Sequence, residues 1–243
     1  MPRFFVSVEN VEHGSVRVVG DDAWHIARSL RMAVGESITV CDTDGNVHEC
    51  TLEKITDGEV FAKIESSAKA ESESPVRVVL YQALPKGDKM DVIVQKAVEM
   101  GACKIVPFFS ERCVSRPDAK SLEKKCARWQ RIALEAAKQC GRGVVPEIGD
   151  PLSYEQMLTQ ASKASLGCFC YEGEGTRSIR DIFENAKGIS DISLVVGSEG
   201  GFSEKEAEEA GRCLTLAGLG KRILRCESAP AFALACISYQ FEL

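Results

Sequence analysis

The chain changes rhythm once, near residue 75, and this change constrains its fold more than any other feature. Before it, short β-rich runs at Phe4–Val6, Ser15–Val19, Ser37–Cys41, His48–Leu52 and Val60–Ile64 are punctuated by Gly and Asp turns. Asp44-Gly45 is a strong hairpin signal. One helical stretch, Asp21 to Leu30, interrupts the strands. Short strands at this spacing predict a small β-barrel. Ser66 to Pro75 is small, polar and closed by proline, the composition of a linker.

After it, strands and helices alternate. Val76–Ala83 and Lys104–Phe108 read as strands, and Asp91–Met100 reads as a helix stopped by Gly101. A long helix is expected from Asp118, its N-cap, to Cys140, with Gly141 beyond. Leu166–Tyr171 and Ile192–Val196 read as buried strands, and Arg222–Arg225 as a last one. Ser203-x-x-Glu206 is a capping box, and Ala231–Phe241 is a closing helix. This order predicts an α/β domain on a mostly parallel sheet.

The 243 residues allow one or two domains, and the net charge of −6 argues at first against a polyanionic partner. The average conceals a division. Residues 1–75 carry −7, residues 76–146 carry +7 and residues 147–243 carry −6. A polyanion would dock on the basic middle third. No apolar run is long enough to span a membrane, and the start lacks the apolar core of a secretory signal.

Eleven cysteines form no Cys-x-x-Cys pair, and the three histidines add no ligand spacing. No metal site is expected. The thiols read as small buried groups in a reducing cytoplasmic setting.

Three segments carry chemistry. Gly197-Ser198-Glu199-Gly200-Gly201-Phe202-Ser203 lies between a buried strand and a capped helix, where open α/β sheets bind ligands. Its glycines let backbone N–H and C=O groups approach a ligand, and its Glu supplies a carboxylate. It is neither a dinucleotide fingerprint nor a P-loop. Leu219 to Pro230 follows the next strand, with Arg225 near Glu227. An ion pair and a catalytic pair remain equally open readings there. The basic middle carries Lys86, Lys89, Arg112 and Arg116, then Lys124, Arg128 and Arg131 at helical spacing. Such a face suits phosphates, and it equally suits a solvated surface.

Together these residues resemble the bacterial ribosomal RNA small subunit methyltransferase E family. The resemblance rests on Gly197–Ser203, Leu219–Pro230, Lys86–Met90, Gln95–Gly101, Ser110–Arg112, Glu135–Arg142, Pro2–Phe5 and His25–Arg31, in the family's order over nearly the whole chain. Ser198 and Ser228 stand where the family usually has Pro and Thr.

The resemblance implies an N-terminal PUA-like barrel, residues 1–72. It implies a SPOUT-type methyltransferase domain with a trefoil knot, residues 73–243. It further implies a homodimer, S-adenosylmethionine as donor, no metal, and N3 methylation of one uridine of 16S rRNA on the assembled small subunit. Gly197, Ser198, Glu199, Gly200, Gly201, Leu219, Gly220, Ile223 and Leu224 are expected to bind the donor, with Leu166 and Tyr171 as a further wall. Arg225 is the expected anion-stabilising cation, and Glu199 and Glu227 are alternative bases. Arg3, His25, Arg28 and Arg31, with Lys86, Lys89, Arg112, Arg128, Arg131, Gln139 and Arg142, are expected to reach RNA. A ribose 2′-hydroxyl methyltransferase and a non-catalytic assembly factor that binds RNA are the alternatives.

Overall fold

The structure, a computed structural model, describes residues 1–56 and 58–243. It divides into two compact units: Met1–Glu73 with Ala137–Val145, and Ser74–Ala136 with Pro146–Leu243.

The first unit holds β1 (Arg3–Val6), β2 (Val11–Glu12), β3 (Ser15–Val19), α1 (Gly20–Trp24), β4 (Ser37–Asp42), β5 (Asn46–Ile55) and β6 (Glu59–Lys69). The sheet order is β1-β4-β5-β6-β3-β2, antiparallel except for the parallel β1–β4 pair. Alternation explains it: Val16, Val18, Ile38, Val40, Cys50, Leu52, Val60 and Ala62 face inward from four strands onto one core, joined by Phe4, Ala23 and Ile26. Two register breaks between β5 and β6 bend the long strands. The expected helix 21–30 is two pieces: α1 runs into a π-helical turn, His25–Ser29, with Leu30 N–H donating to His25 C=O. The expected linker is shorter than its composition suggested, because Ser66–Lys69 still pair with β5 as the end of β6.

A buried ion pair closes this unit. The Arg142 guanidinium, 5% exposed, donates from Nε to Glu73 Oε1 at 3.3 Å, and Glu73 also accepts the Gly143 and Val144 N–H groups.

The second unit alternates β7 (Arg77–Ala83), α2 (Lys89–Glu99), β8 (Ala102–Phe109), α3 (Ala119–Cys140), β9 (Glu147–Ile148), β10 (Leu152–Ser153), α4 (Tyr154–Ala161), β11 (Leu166–Cys170), β12 (Arg177–Ser178), α5 (Ile179–Glu184), β13 (Asp191–Val196), α6 (Glu204–Ala210), β14 (Thr215–Gly218) and α7 (Ser228–Phe241). Every strand pair in it is parallel, in the order β10-β8-β7-β13-β11-β14-β12, with β9 beside β8. β13 is central, its Ile192 and Leu194–Val196 at 2% exposure or less, as a strand covered on both faces requires. From β7 the chain passes to β8 on one side, and β13 adds on the other. That reversal opens a crevice at the strands' carboxyl ends.

Two local expectations fail. Arg222–Arg225 is not a strand; the last strand is β14, which starts seven residues earlier. The domain division was drawn at residues 72 and 73, yet Ala137–Val145, the end of α3 and its following turn, belong to the first unit.

Candidate active site

The carboxyl ends of β11, β13 and β14 and the start of α7 enclose a cavity of about 610 Å³. Cys170–Glu172 and Thr176 follow β11, Val196–Glu199 with Gly201–Phe202 follow β13, and Gly218–Cys226 follow β14. Lys89 and Ala229 complete the lining.

The β13 loop is built by glycine. Gly201 N–H donates to Ser198 C=O at 3.0 Å, closing a tight turn, and Gly201 sits at φ +60. A Cβ there would meet Glu172 Oε1 at 2.7 Å. A Cβ on Gly197 would lie 3.2 Å from the Gly201 backbone, so the loop folds back on itself only without side chains. Phe202 anchors it, stacked on Phe108 at 6.3 Å and tilted against Phe169 at 4.1 Å. Beyond it, Ser203 and Glu206 form the full reciprocal capping box of α6. Gln82, fully buried on β7, donates to Gly197 C=O at 3.0 Å.

The polar groups meet on one side. Glu199 accepts from Lys86 N–H at 3.1 Å and from Lys89 Nζ at 2.8 Å. Lys89 Nζ also lies 3.8 Å from Glu227 Oε2 and 3.9 Å from Cys226 Sγ. The Cys226 thiol donates to Glu227 Oε2 at 3.2 Å. Burial opposes ionisation of Glu199, but hydrogen bonds from Lys89, Lys86 and its own backbone outweigh it and hold the carboxyl below its ordinary range. Glu227 is lowered chiefly by its own N–H, then by the Cys226 thiol. Its bond to Glu199 holds the Lys89 ammonium above its usual value. Burial, with the hydrogen bond to Glu227, pushes the Cys226 thiol to about 12, so it stays protonated at neutral pH.

Of the expected donor residues, Gly197, Ser198, Glu199, Gly201, Tyr171, Leu219, Gly220, Ile223 and Leu224 line this cavity, as does Arg225. Glu227 stands behind the lining, 3.2 Å from Cys226 Sγ and 3.8 Å from Lys89 Nζ. Gly200 stands beside it, its C=O accepting from Arg112 Nη1 at 3.1 Å. Leu166 does not belong: it starts β11, pairing with Ile192, at the strand end opposite the cavity. Lys89 also moves, from the expected RNA set into the cavity wall. Glu172 closes the expected wall after β11, Lys221 and Arg222 lie within the Leu219–Pro230 segment, and Thr176 lines the cavity without a local signal in the sequence.

The remaining basic residues separate by partner. His25, Arg28, Arg31, Lys86, Arg131 and Gln139 are exposed. Arg31 stands in the left-handed region at φ +54, and His25 packs edge-on to Phe4. Arg128 pairs with Asp91, which also accepts from Trp129 Nε1 at 3.1 Å. With Lys124 and Lys125, Arg128 lines a second cavity, of about 170 Å³. Arg3 turns to Cys41 Sγ and the Arg142 carbonyl, at 3.1 and 3.2 Å. Arg142 is buried against Glu73 and holds the fold of its unit, so a surface role is corrected there. Among the described residues no group of three or more His, Cys, Asp or Glu is arranged to hold a metal. No helix among them is long and apolar enough to cross a membrane.

Comparison with known proteins gives this geometry a class. Residues 72–238 match the RNA methyltransferase domain family, and residues 20–65 match the RNA methyltransferase PUA domain family. The chain is therefore an RNA methyltransferase of the kind that carries a PUA domain ahead of a parallel α/β domain. It is 35% identical to ribosomal RNA small subunit methyltransferase E of Bacillus subtilis, over 100% of this chain and 98% of that one. The enzyme of that name from Synechocystis is 30% identical over 99% of this chain and 78% of its own length. A crystal structure of the Neisseria gonorrhoeae enzyme, bound to S-adenosyl methionine, superposes with TM-score 0.85 at 32% identity, covering 98% of this chain and 97% of the other. The chain belongs to the ribosomal RNA small subunit methyltransferase E family.

Proposed function

We propose that the protein transfers the methyl group of S-adenosylmethionine to N3 of one uridine of 16S rRNA, in the assembled small subunit, and that it works as a homodimer. The observation that carries this reading is the cavity beside the Gly197–Gly201 turn, in a chain similar throughout its length to enzymes of this name.

The residues present fit the donor. Val196, Phe202, Leu219, Leu224 and Ala229 offer apolar surface for a nucleoside, and the glycine turn offers backbone groups for its polar edges. The Ser198 hydroxyl is buried without a hydrogen-bond partner among the described residues. Glu172 and Glu199 line the cavity and Glu227 stands next to its wall, a setting suited to a cationic ligand. When bound, S-adenosylmethionine supplies an electrophilic methyl group on a positively charged sulfur. The knot implied by the resemblance belongs to the same reading, in which the chain after β14 returns past the β11 loop to wall one cavity.

The chain's own work is to align N3 and remove its proton. Alignment supplies much of the barrier reduction. Arg225, exposed on the cavity rim, stabilises the negative charge that develops on the uracil oxygens. Glu227 takes the N3 proton as N3 forms its bond to the methyl carbon and the donor's S–CH3 bond breaks, leaving a neutral thioether. Glu199 is the poorer base, because its oxygens already accept from Lys86 and Lys89. Both carboxylates are held below their usual range, so proton removal depends on Arg225 lowering the acidity gap rather than on basicity alone. Lys86, Arg112 and Arg131, with the exposed His25, Arg28 and Arg31, contact RNA. The experiment is incubation with labelled S-adenosylmethionine and small subunits lacking the modification, followed by nucleoside mapping. N3-methyluridine supports the reading; a 2′-O-methylated product would move it to the ribose, and RNA binding without donor binding would move it to an assembly factor.

A further inference from the structure

We propose that Lys89 is a positioning residue of the donor site: its ammonium fastens the β13 loop and the loop ahead of α7 to the start of α2, so that the two loops walling the cavity are held as one. The inference rests on the reading of this cavity as the donor site, and it assigns Lys89 to the donor rather than to RNA.

Three stretches far apart in sequence meet at this one atom. Lys89 opens α2 and Glu199 lies in the glycine turn, 110 residues later. Glu227 and Cys226 precede α7. Lys89 Nζ is 2.8 Å from Glu199, 3.8 Å from Glu227 and 3.9 Å from Cys226 Sγ. A second bond, from Lys86 N–H to Glu199, ties the same carboxylate to the same corner.

The turn itself needs the tie. Ser198–Gly201 carries glycines at two of its four positions, and a Ser198–Gly201 bridge pairs across the turn. Glycine-rich backbone loses the most conformational freedom on ordering, so a turn that must present its backbone groups needs an external anchor. Phe202 anchors its far end in the core, and Glu199 is its one charged side chain. The carboxylates of Glu199 and Glu227 also repel one another, and the ammonium that both approach offsets that repulsion. Lys89 keeps 36% of its side chain exposed, but its ammonium already has two carboxylates within 4 Å, so a phosphate would have to compete with both.

The experiment measures donor and RNA binding separately for the full chain. Titration calorimetry with S-adenosylmethionine is run on wild type, Lys89→Met, Lys89→Arg, Glu199→Gln and the Lys89→Met/Glu199→Gln double variant. RNA binding is measured for each as a function of salt. The expected result is a donor Kd raised about tenfold by Lys89→Met, partly restored in Lys89→Arg, with RNA affinity and its salt slope unchanged. Glu199→Gln should add little in the Lys89→Met background, since the pair acts as a unit. In turnover the donor KM should rise more than kcat falls. An unchanged donor Kd would overturn the proposal, as would a salt slope reduced by about one, the mark of a lost phosphate contact. Additive losses in the double variant would also overturn it. Wild type that fails to bind the donor at all would instead overturn the donor site itself.

Discussion

Arg225, Glu227 and Arg142 show how one residue type takes its meaning from its partners. In the proposed reaction Arg225→Ala lowers kcat about 10²–10³-fold, the typical loss of one preorganised charge at a developing anion. Glu227→Gln lowers it about 10²–10⁴-fold while donor binding persists, which single-turnover kinetics and calorimetry separate. Arg142→Ala behaves differently. It leaves Glu73 partly buried without its cation, so thermal unfolding should report a loss of about 3 kcal/mol, at the lower end for a buried pair, with the salt slope of RNA binding unchanged. The sequence placed Arg142 among RNA contacts because a basic residue in a basic stretch carries no local sign of its partner, 69 positions away. Lys89, expected among the RNA contacts, likewise has its partner Glu199 110 positions away. The carboxylates also set a pH limit. Glu199 and Glu227 titrate below their usual range when folded, so their contribution is fully present above the unfolded value of about 4.3. It is lost as the pH falls through the lower folded values. The carboxylates' share of donor affinity should therefore weaken only below about pH 4.3, which calorimetry across acidic pH measures.

Among the elements, the β13 loop was the most legible and the segment after β14 the least. A buried strand, three glycines and a Ser-x-x-Glu box each leave a local mark, and each stands where its pattern put it. Arg222-Ile223-Leu224-Arg225 alternates like a strand but forms an irregular wall of the cavity, with Ile223 81% exposed. Gly220 at φ +109 and the Ser228 N–H bond to Arg225 C=O turn the chain there instead. β14 went unseen because four residues, Thr-Leu-Ala-Gly, show too little alternation; pairing with β11 and β12 makes it a strand. The turn predicts its own sensitivity. Gly201→Ala forces a Cβ into the left-handed region, worth about 1–2 kcal/mol, and pushes on Glu172. It should raise the donor Kd at least tenfold, with a smaller loss in melting temperature.

For the whole molecule, the change of rhythm near residue 75 does mark two architectures, an antiparallel unit and a parallel one. The exact division was not legible, because it depends on where the end of α3 packs. The charge division is legible too, and the structure qualifies it. Part of the basic middle third is consumed internally, as Arg128 by Asp91, Lys89 by Glu199 and Arg142 by Glu73. The RNA contacts proposed for this third are accordingly few. The acidic last third forms a cavity whose carboxylates suit a cation. The central claim is a methyl transfer to uracil N3, and one measurement tests it most directly: labelled S-adenosylmethionine with unmodified small subunits, digested to nucleosides. Wild type should leave one N3-methyluridine per subunit, and Glu227→Gln should show a severe loss. Label on a ribose 2′-oxygen, or none despite donor binding, would contradict it.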